Sequence, residues 1–163
     1  MKKIATLAVL IISGITVLYA SFVYGHNNSA PIMECMNCHE GDLAKDMVKI
    51  TGLPKSFVPG KKYEMTVVIT SDLQVMGDVA GGFAVEVSAG ELLIKDKKNT
   101  QLSDHILTHT QQGSSLRKWS FIWKAPKNKV EAGINVMAVA ANGDYSPAAD
   151  KVGTASYTIM PGK

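Results

Sequence analysis

An all-β sandwich, two antiparallel sheets packed face to face, is the fold class this sequence predicts. Three observations predict it. From residue 48 onward, apolar and polar residues alternate with a period of two in one short segment after another. Clusters of Gly, Pro and Asn separate those segments at short intervals. Past the N-terminal stretch, nothing carries the apolar periodicity of a long helix or an internal repeat. With 163 residues, the chain has room for one domain around one hydrophobic core.

Taken in order, Met1-Lys2-Lys3 is a short positive start, and Ile4 to Tyr24 follows without a charged residue. That is the pattern of an export signal. The 21 residues of this run are also enough to span a bilayer as a helix, so residues 1–25 are either a signal peptide or a retained membrane anchor. Val23 and Gly25 supply small residues for cleavage before His26. Either reading places the rest outside the cytoplasmic membrane, in the periplasm, at the cell surface or beyond. Residues 26–47 begin with a polar linker, Asn27-Asn28-Ser29, and Glu40 to Met47 holds at most a short helical turn.

The sandwich occupies residues 48–163. Tyr63, Met65, Val67 and Ile69 alternate with Glu64, Thr66, Val68 and Thr70 after the turn Pro59-Gly60. Phe83, Val85 and Val87 alternate with Ala84, Glu86 and Ser88, after Gly81-Gly82, which together with Gly77 read as turn glycines. Trp119, Phe121 and Trp123 alternate strictly with Ser120, Ile122 and Lys124, which favours a core role over an exposed aromatic shield. Ile134 to Ala141 is apolar on both faces, as in a central strand. Shorter strands are expected over Val48 to Leu53, Glu91 to Ile94, Ile106 to Thr108 and Val152 to Ile159. About eight strands over about 115 residues suit the immunoglobulin-like type of sandwich.

Charge says little about partners. The formal charge of +3 falls to +1 once Lys2 and Lys3 leave, 15 basic against 14 acidic residues. With one arginine, Arg117, and scattered lysines there is no basic stripe, so nucleic acid is not an expected partner. No nucleophile elbow or phosphate-binding glycine loop supports hydrolytic or nucleotide chemistry, so a conventional enzyme is not expected.

The chemistry concentrates in Cys35-Met36-Asn37-Cys38-His39, a C-x-x-C-H run. This spacing suits covalent c-type haem: each thiol adds to one vinyl group, and the next residue sits under the iron. Cys35 and Cys38 would carry one haem c, with His39 as the proximal iron ligand. They are the only cysteines, so none remains for a structural disulfide. A redox dithiol or half of a zinc site are the rivals, but the first lacks its βαβ setting and the second lacks further ligands at suitable spacing. Asn142-Gly143-Asp144 and Asp150 lack the spacing of a calcium loop and read as turn chemistry.

A resemblance adds to this. Ile50-Thr51-Gly52-Leu53-Pro54 followed by Phe57-Val58-Pro59-Gly60-Lys61-Lys62-Tyr63 resembles the opening of Reeler-like domains. The match continues through Gly81-Gly82-Phe83, Thr108-His109-Thr110, the segment from Trp119 to Pro126 and Ala140-Ala141-Asn142-Gly143-Asp144. The particular branch is the exported prokaryotic one, sometimes labelled choice-of-anchor, in which a C-x-x-C-H often precedes the sandwich. The resemblance implies an immunoglobulin-like fold and an extracytoplasmic location, and no single activity.

A second axial ligand is expected from His109, which sits between a strand and the Gln111-Gln112-Gly113 loop, with His105 as the second choice. Reeler-like domains without a haem motif carry a histidine here too, so the resemblance equally implies a role for His109 in the sandwich itself. His26 lies on the linker, and the methionines are more often fillers than ligands. The expected function is an exported monohaem c-type cytochrome passing single electrons between redox protein partners, touching a membrane only through an uncleaved N-terminus. The alternatives are a haem sensor or enzyme with an open distal site, and a haem-free cell-surface binding or adhesion module. Assembly into homo-oligomers is left open by the sequence.

Overall fold

A computed structural model describes residue 30, residues 32–39 and residues 43–163 of the chain. The expected signal or anchor helix over residues 1–25 and His26 lie outside the described residues. Among the described residues no helix is long and apolar enough to cross a membrane.

Ten strands form two sheets. β1 (Val48–Thr51), β3 (Lys62–Ile69), β8 (Lys118–Lys124) and β5 (Glu91–Ile94) make a four-stranded sheet in the order β1-β3-β8-β5. The other sheet has six strands: β2 (Ser56–Phe57), β10 (Lys151–Pro161), β9 (Ala132–Ala140), β4 (Gly81–Val87), β7 (Ile106–His109) and β6 (Thr100–Ser103), in that order. Every pairing is antiparallel except the two-residue contact of β2 with β10.

The alternations place the core where expected. In β3, Met65, Val67 and Ile69 are buried, and in β8 so are Trp119, Phe121 and Trp123. They meet Phe83, Val85, Leu107, Ile134 and Val136 of the six-stranded sheet, with Trp119 and Phe83 rings 4.8 Å apart. Each large side chain removed from water contributes about 1.5–3 kcal/mol, so this aromatic and branched core stabilises the sandwich strongly. The two indole N–H groups donate to the Gly113 and Ala89 carbonyls, which spares the core any unpaired polar atom from Trp119 or Trp123. The Pro59-Gly60 turn closes with the Lys61 N–H on the Val58 carbonyl, and Gly60 takes the φ of +74° that this turn demands. The Tyr63 hydroxyl then accepts the Val58 N–H, giving the Pro-Gly-x-x-Tyr string a physical reason.

Two expectations need correction. Ten strands replace about eight. The additions are β2, which has two residues, and β6, whose Thr-Gln-Leu-Ser is a polar edge strand without an apolar alternation to mark it. Gly81 and Gly82 are not turn glycines, because they open β4 and pair with Ala140 and Val139. β4 is buried on both faces over Gly81 to Val85, as a strand is when its outer face is covered too.

What covers the outer face is the stretch preceding β1. The Ala30 N–H donates to Thr108 Oγ1 on β7, the Cys35 N–H to Met137 Sδ on β9, and the Ala44 N–H to the Val152 carbonyl on β10. The described residues of this stretch therefore cross the six-stranded sheet from β7 to β10. Ala84, Val139 and Val152 are buried beneath that side of the sheet, away from the main core.

Candidate functional site

Cys35–Asn37 forms a single 3-10 turn, and the Cys35 carbonyl accepts both the Cys38 N–H at 3.3 Å and the His39 N–H at 3.0 Å. So tight a coil turns Cys35, Cys38 and His39 onto one cleft of about 170 Å³. The opposite wall is the end of the six-stranded sheet: Gly82 and Phe83 of β4, Val139 and Ala141 from β9 and just beyond it, and His109 at the end of β7. The lining is apolar apart from a few groups, the composition of a small-molecule site.

Both thiols are free. Burial pushes the Cys35 thiol up to about 11, with the Cys38 charge adding to the rise and a backbone hydrogen bond opposing it. Cys35 is thus a protonated thiol at neutral pH, unlike the activated thiolate of a redox dithiol. Among the described residues no three His, Cys, Asp or Glu side chains are grouped so as to hold a metal ion unaided.

His39 and His109 face the cleft in different electronic states. His39 Nδ1 lies 2.8 Å from Oδ2 of the buried Asp150. A carboxylate oxygen can only accept, so Nδ1 carries a proton, and in the neutral ring Nε2 keeps its lone pair. Asp150 is itself held by the Asn142 N–H, which donates to Oδ1 at 3.1 Å.

His109 completes the sheet. The β4–β7 ladder runs through Val85↔Leu107 and Ala84↔Thr108 and stops there. At the next step, side chains replace the backbone: the Phe83 N–H donates to His109 Nδ1 at 3.2 Å, and Thr108 Oγ1 donates to the Phe83 carbonyl at 2.6 Å. The ring lies over the bare face of Gly82, where a Cβ would stand 2.5 Å from Cε1 and 2.9 Å from Nε2. Burial lowers the His109 pKa to about 4, against a smaller upward effect of the Phe83 carbonyl oxygen 3.4 Å from Nδ1, so the ring is neutral at pH 7. With Nδ1 accepting, the neutral ring carries its proton on Nε2.

His105 sits on the β6–β7 turn, exposed, and does not line the cleft. Met36 is exposed in the 3-10 turn, and Met137, expected as filler, instead receives the Cys35 N–H. The aromatic strand residues Trp119, Phe121 and Trp123 belong to the core and not to the cleft wall. Two participants were missed by the sequence reading, Asp150 and Gly82, and no local signal marks either: one is an acid in a loop, the other a glycine before a strand. The calcium-like string Asn142-Gly143-Asp144 is an Asx turn, with Asn142 Oδ1 accepting the Asp144 N–H and Asp144 Oδ1 the Ser146 N–H.

No protein-family model matches the chain, and no curated protein does. Solved structures do. The human F-spondin reeler domain (fragment 1) is 14% identical with a TM-score of 0.51, covering 76% of this chain and 94% of that one. The Reelin-N domain of F-spondin is 15% identical with a TM-score of 0.53, covering 79% and 96%. At such identity the likeness is one of fold, a Reeler-like β-sandwich, which agrees with the resemblance carried by the sequence motifs.

Proposed function

We propose that this chain is an exported monohaem c-type cytochrome that passes single electrons between redox protein partners outside the cytoplasmic membrane. The observation that carries it is the placement of both thiols of the C-x-x-C-H run, its histidine, and His109 around one apolar cleft. The donor set fits the group: two free thiols for the thioether bonds, and a His39 whose Nε2 lone pair is free for iron. Haem would supply one-electron exchange at its iron.

The chain's own residues set the conditions. Cys35 and Cys38 would tether the group, and Val139 and Ala141 would line one side of it. The cleft is smaller than the roughly 300–1,000 Å³ of pockets that engulf a ligand. A haem tethered here would therefore not be wholly enclosed by the described residues, which would suit electron exchange with a docking partner. His109 as second axial ligand requires its proton to move from Nε2 to Nδ1. Nδ1 then donates to Thr108 Oγ1, 3.2 Å away, and the Phe83 N–H loses its acceptor. Two imidazole ligands hold the potential below that of a His/Met pair.

The bond from the Phe83 N–H to His109 Nδ1 favours a second reading. With the proton on Nε2, this side chain is a hydrogen-bond donor aimed into the cleft, suited to holding a small molecule on an open iron position rather than to binding the iron itself. The experiment is production in a host that matures c-type cytochromes, with mass and visible spectrum in both oxidation states. A covalent adduct with a low-spin spectrum that His109→Ala abolishes supports the electron carrier. A covalent adduct with a high-spin spectrum that binds carbon monoxide directly supports the open site. No covalent haem overturns both and leaves a haem-free binding module.

A further inference from the structure

His39 is the partner of Asp150, one of the most enclosed acidic side chains among the described residues. The Asp150 side chain is 4% exposed, and His39 is its one side-chain hydrogen-bond partner among the described residues. The neighbouring Lys151 pairs elsewhere, with Asp72 at 2.7 Å. Burying a carboxylate costs several kcal/mol unless it is matched by hydrogen bonds, so a loop that needed only a turn residue here would be better served by Asn or Ser. Ala149, just before it, takes a φ of +65°, a conformation that a residue with a Cβ adopts at a cost. The loop accepts both costs and delivers one carboxylate oxygen to His39 Nδ1.

We propose that Asp150 is the positioning residue of the haem site: it fixes His39 in the tautomer that presents Nε2 to the cleft and strengthens that nitrogen as a donor. This rests on the function proposed above. The Asn142 N–H anchors Oδ1, which leaves Oδ2 to act on the imidazole. A charged acceptor on Nδ1–H gives the ring more anionic character, and a more basic ring favours the oxidised iron and lowers the reduction potential. Among the described residues the Asp150 carboxylate bonds to His39 Nδ1 and the Asn142 N–H, so its route to the cleft runs through His39.

The test compares the full chain with Asp150→Asn, which keeps the shape and an acceptor for the Asn142 N–H but removes the charge. In the haem-free chain, nitrogen-15 shifts of the His39 ring report its tautomer without reference to any cofactor. The expected result is an Nδ1–H tautomer in the parent and a mixed or inverted population in Asp150→Asn. In the haem-loaded proteins, adduct mass and low-spin spectrum should match, while the midpoint potential of Asp150→Asn moves to a more positive value. An unchanged tautomer, or an unchanged potential with haem attached, overturns the proposal. A parent chain that takes up no haem overturns the function above, and the tautomer measurement then still decides whether Asp150 orients His39. Circular dichroism melts of both chains check that the variant folds.

Discussion

One proton divides the role of His109 in the sheet from the one proposed for it on iron. As acceptor for the Phe83 N–H, its Nδ1 ends the β4–β7 ladder, and for that the ring must be neutral. Its pKa in the folded chain, about 4, lies below the ordinary 6.5, so the unfolded chain binds more protons between those values. The contribution of neutral His109 is therefore fully present above pH 6.5, declines as pH falls from 6.5 toward 4, and is gone below. Its size is roughly 3 kcal/mol, from a shift of about 2.5 units at 1.36 kcal/mol each. Urea unfolding of the haem-free chain across that window should show this loss, and His109→Gln should flatten the curve. An equal acid dependence in the variant would place the cause elsewhere. The thiols offer a second residue-scale check. At pH 8 about one Cys35 thiol in a thousand is ionised, so iodoacetamide should label the exposed Cys38 at least about ten times faster in the haem-free chain. Equal rates by peptide mass spectrometry would contradict the burial of Cys35.

At the scale of elements, β4 carries the site. Its first two residues are glycines because the backbone must pass close under a ring on one side and close to β9 on the other, a Cβ on Gly81 standing 2.5 Å from the Val139 carbonyl oxygen. Gly82→Ala should push the His109 ring off the sheet. The expected cost is about 1–3 kcal/mol in denaturant unfolding, from overpacking and the orphaned Phe83 N–H. In haem-loaded protein the same change should leave the covalent adduct intact while removing low-spin ligation, and retained ligation would show that His109 is not the second ligand. Arg117 supports this end of the sandwich. Its guanidinium donates to the Ser71, Leu73, Ala80 and Ala141 carbonyls, tying the loop before β4 to the end of β9. The one arginine of the sequence is thus a four-way clasp that a lysine's point charge cannot reproduce.

Across the whole molecule, the fold works by laying the stretch before β1 over the outer face of its larger sheet. Haem bound by Cys35, Cys38, His39 and His109 would tie that stretch to β7, a link between distant parts of the chain that constrains the unfolded state as a cross-link does. The haem-loaded chain should therefore melt at a higher temperature than the haem-free one, and His109→Ala should shrink the difference because the link then lacks its second end. Equal melting temperatures would remove His109 from the link.

Reading the residues in order was enough for the sandwich and its principal strands, and for locating the C-x-x-C-H run. Met65-x-Val67-x-Ile69 and Trp119-x-Phe121-x-Trp123 announce buried faces because side chains on a strand alternate, a rule local enough to read from consecutive residues. The motif is equally local, since its thiols and imidazole lie within five residues. His109 could be nominated from its place beside a strand end, but its Nδ1 bond to Phe83 could not. Only the tertiary structure decided that β4 would be covered on both faces, that Gly82 would make room for a ring, and that Asp150 would meet His39. Those contacts join residues far apart in the chain, and a pairing of that kind is set by how two sheets and a crossing segment pack, for which neighbouring residues leave no trace.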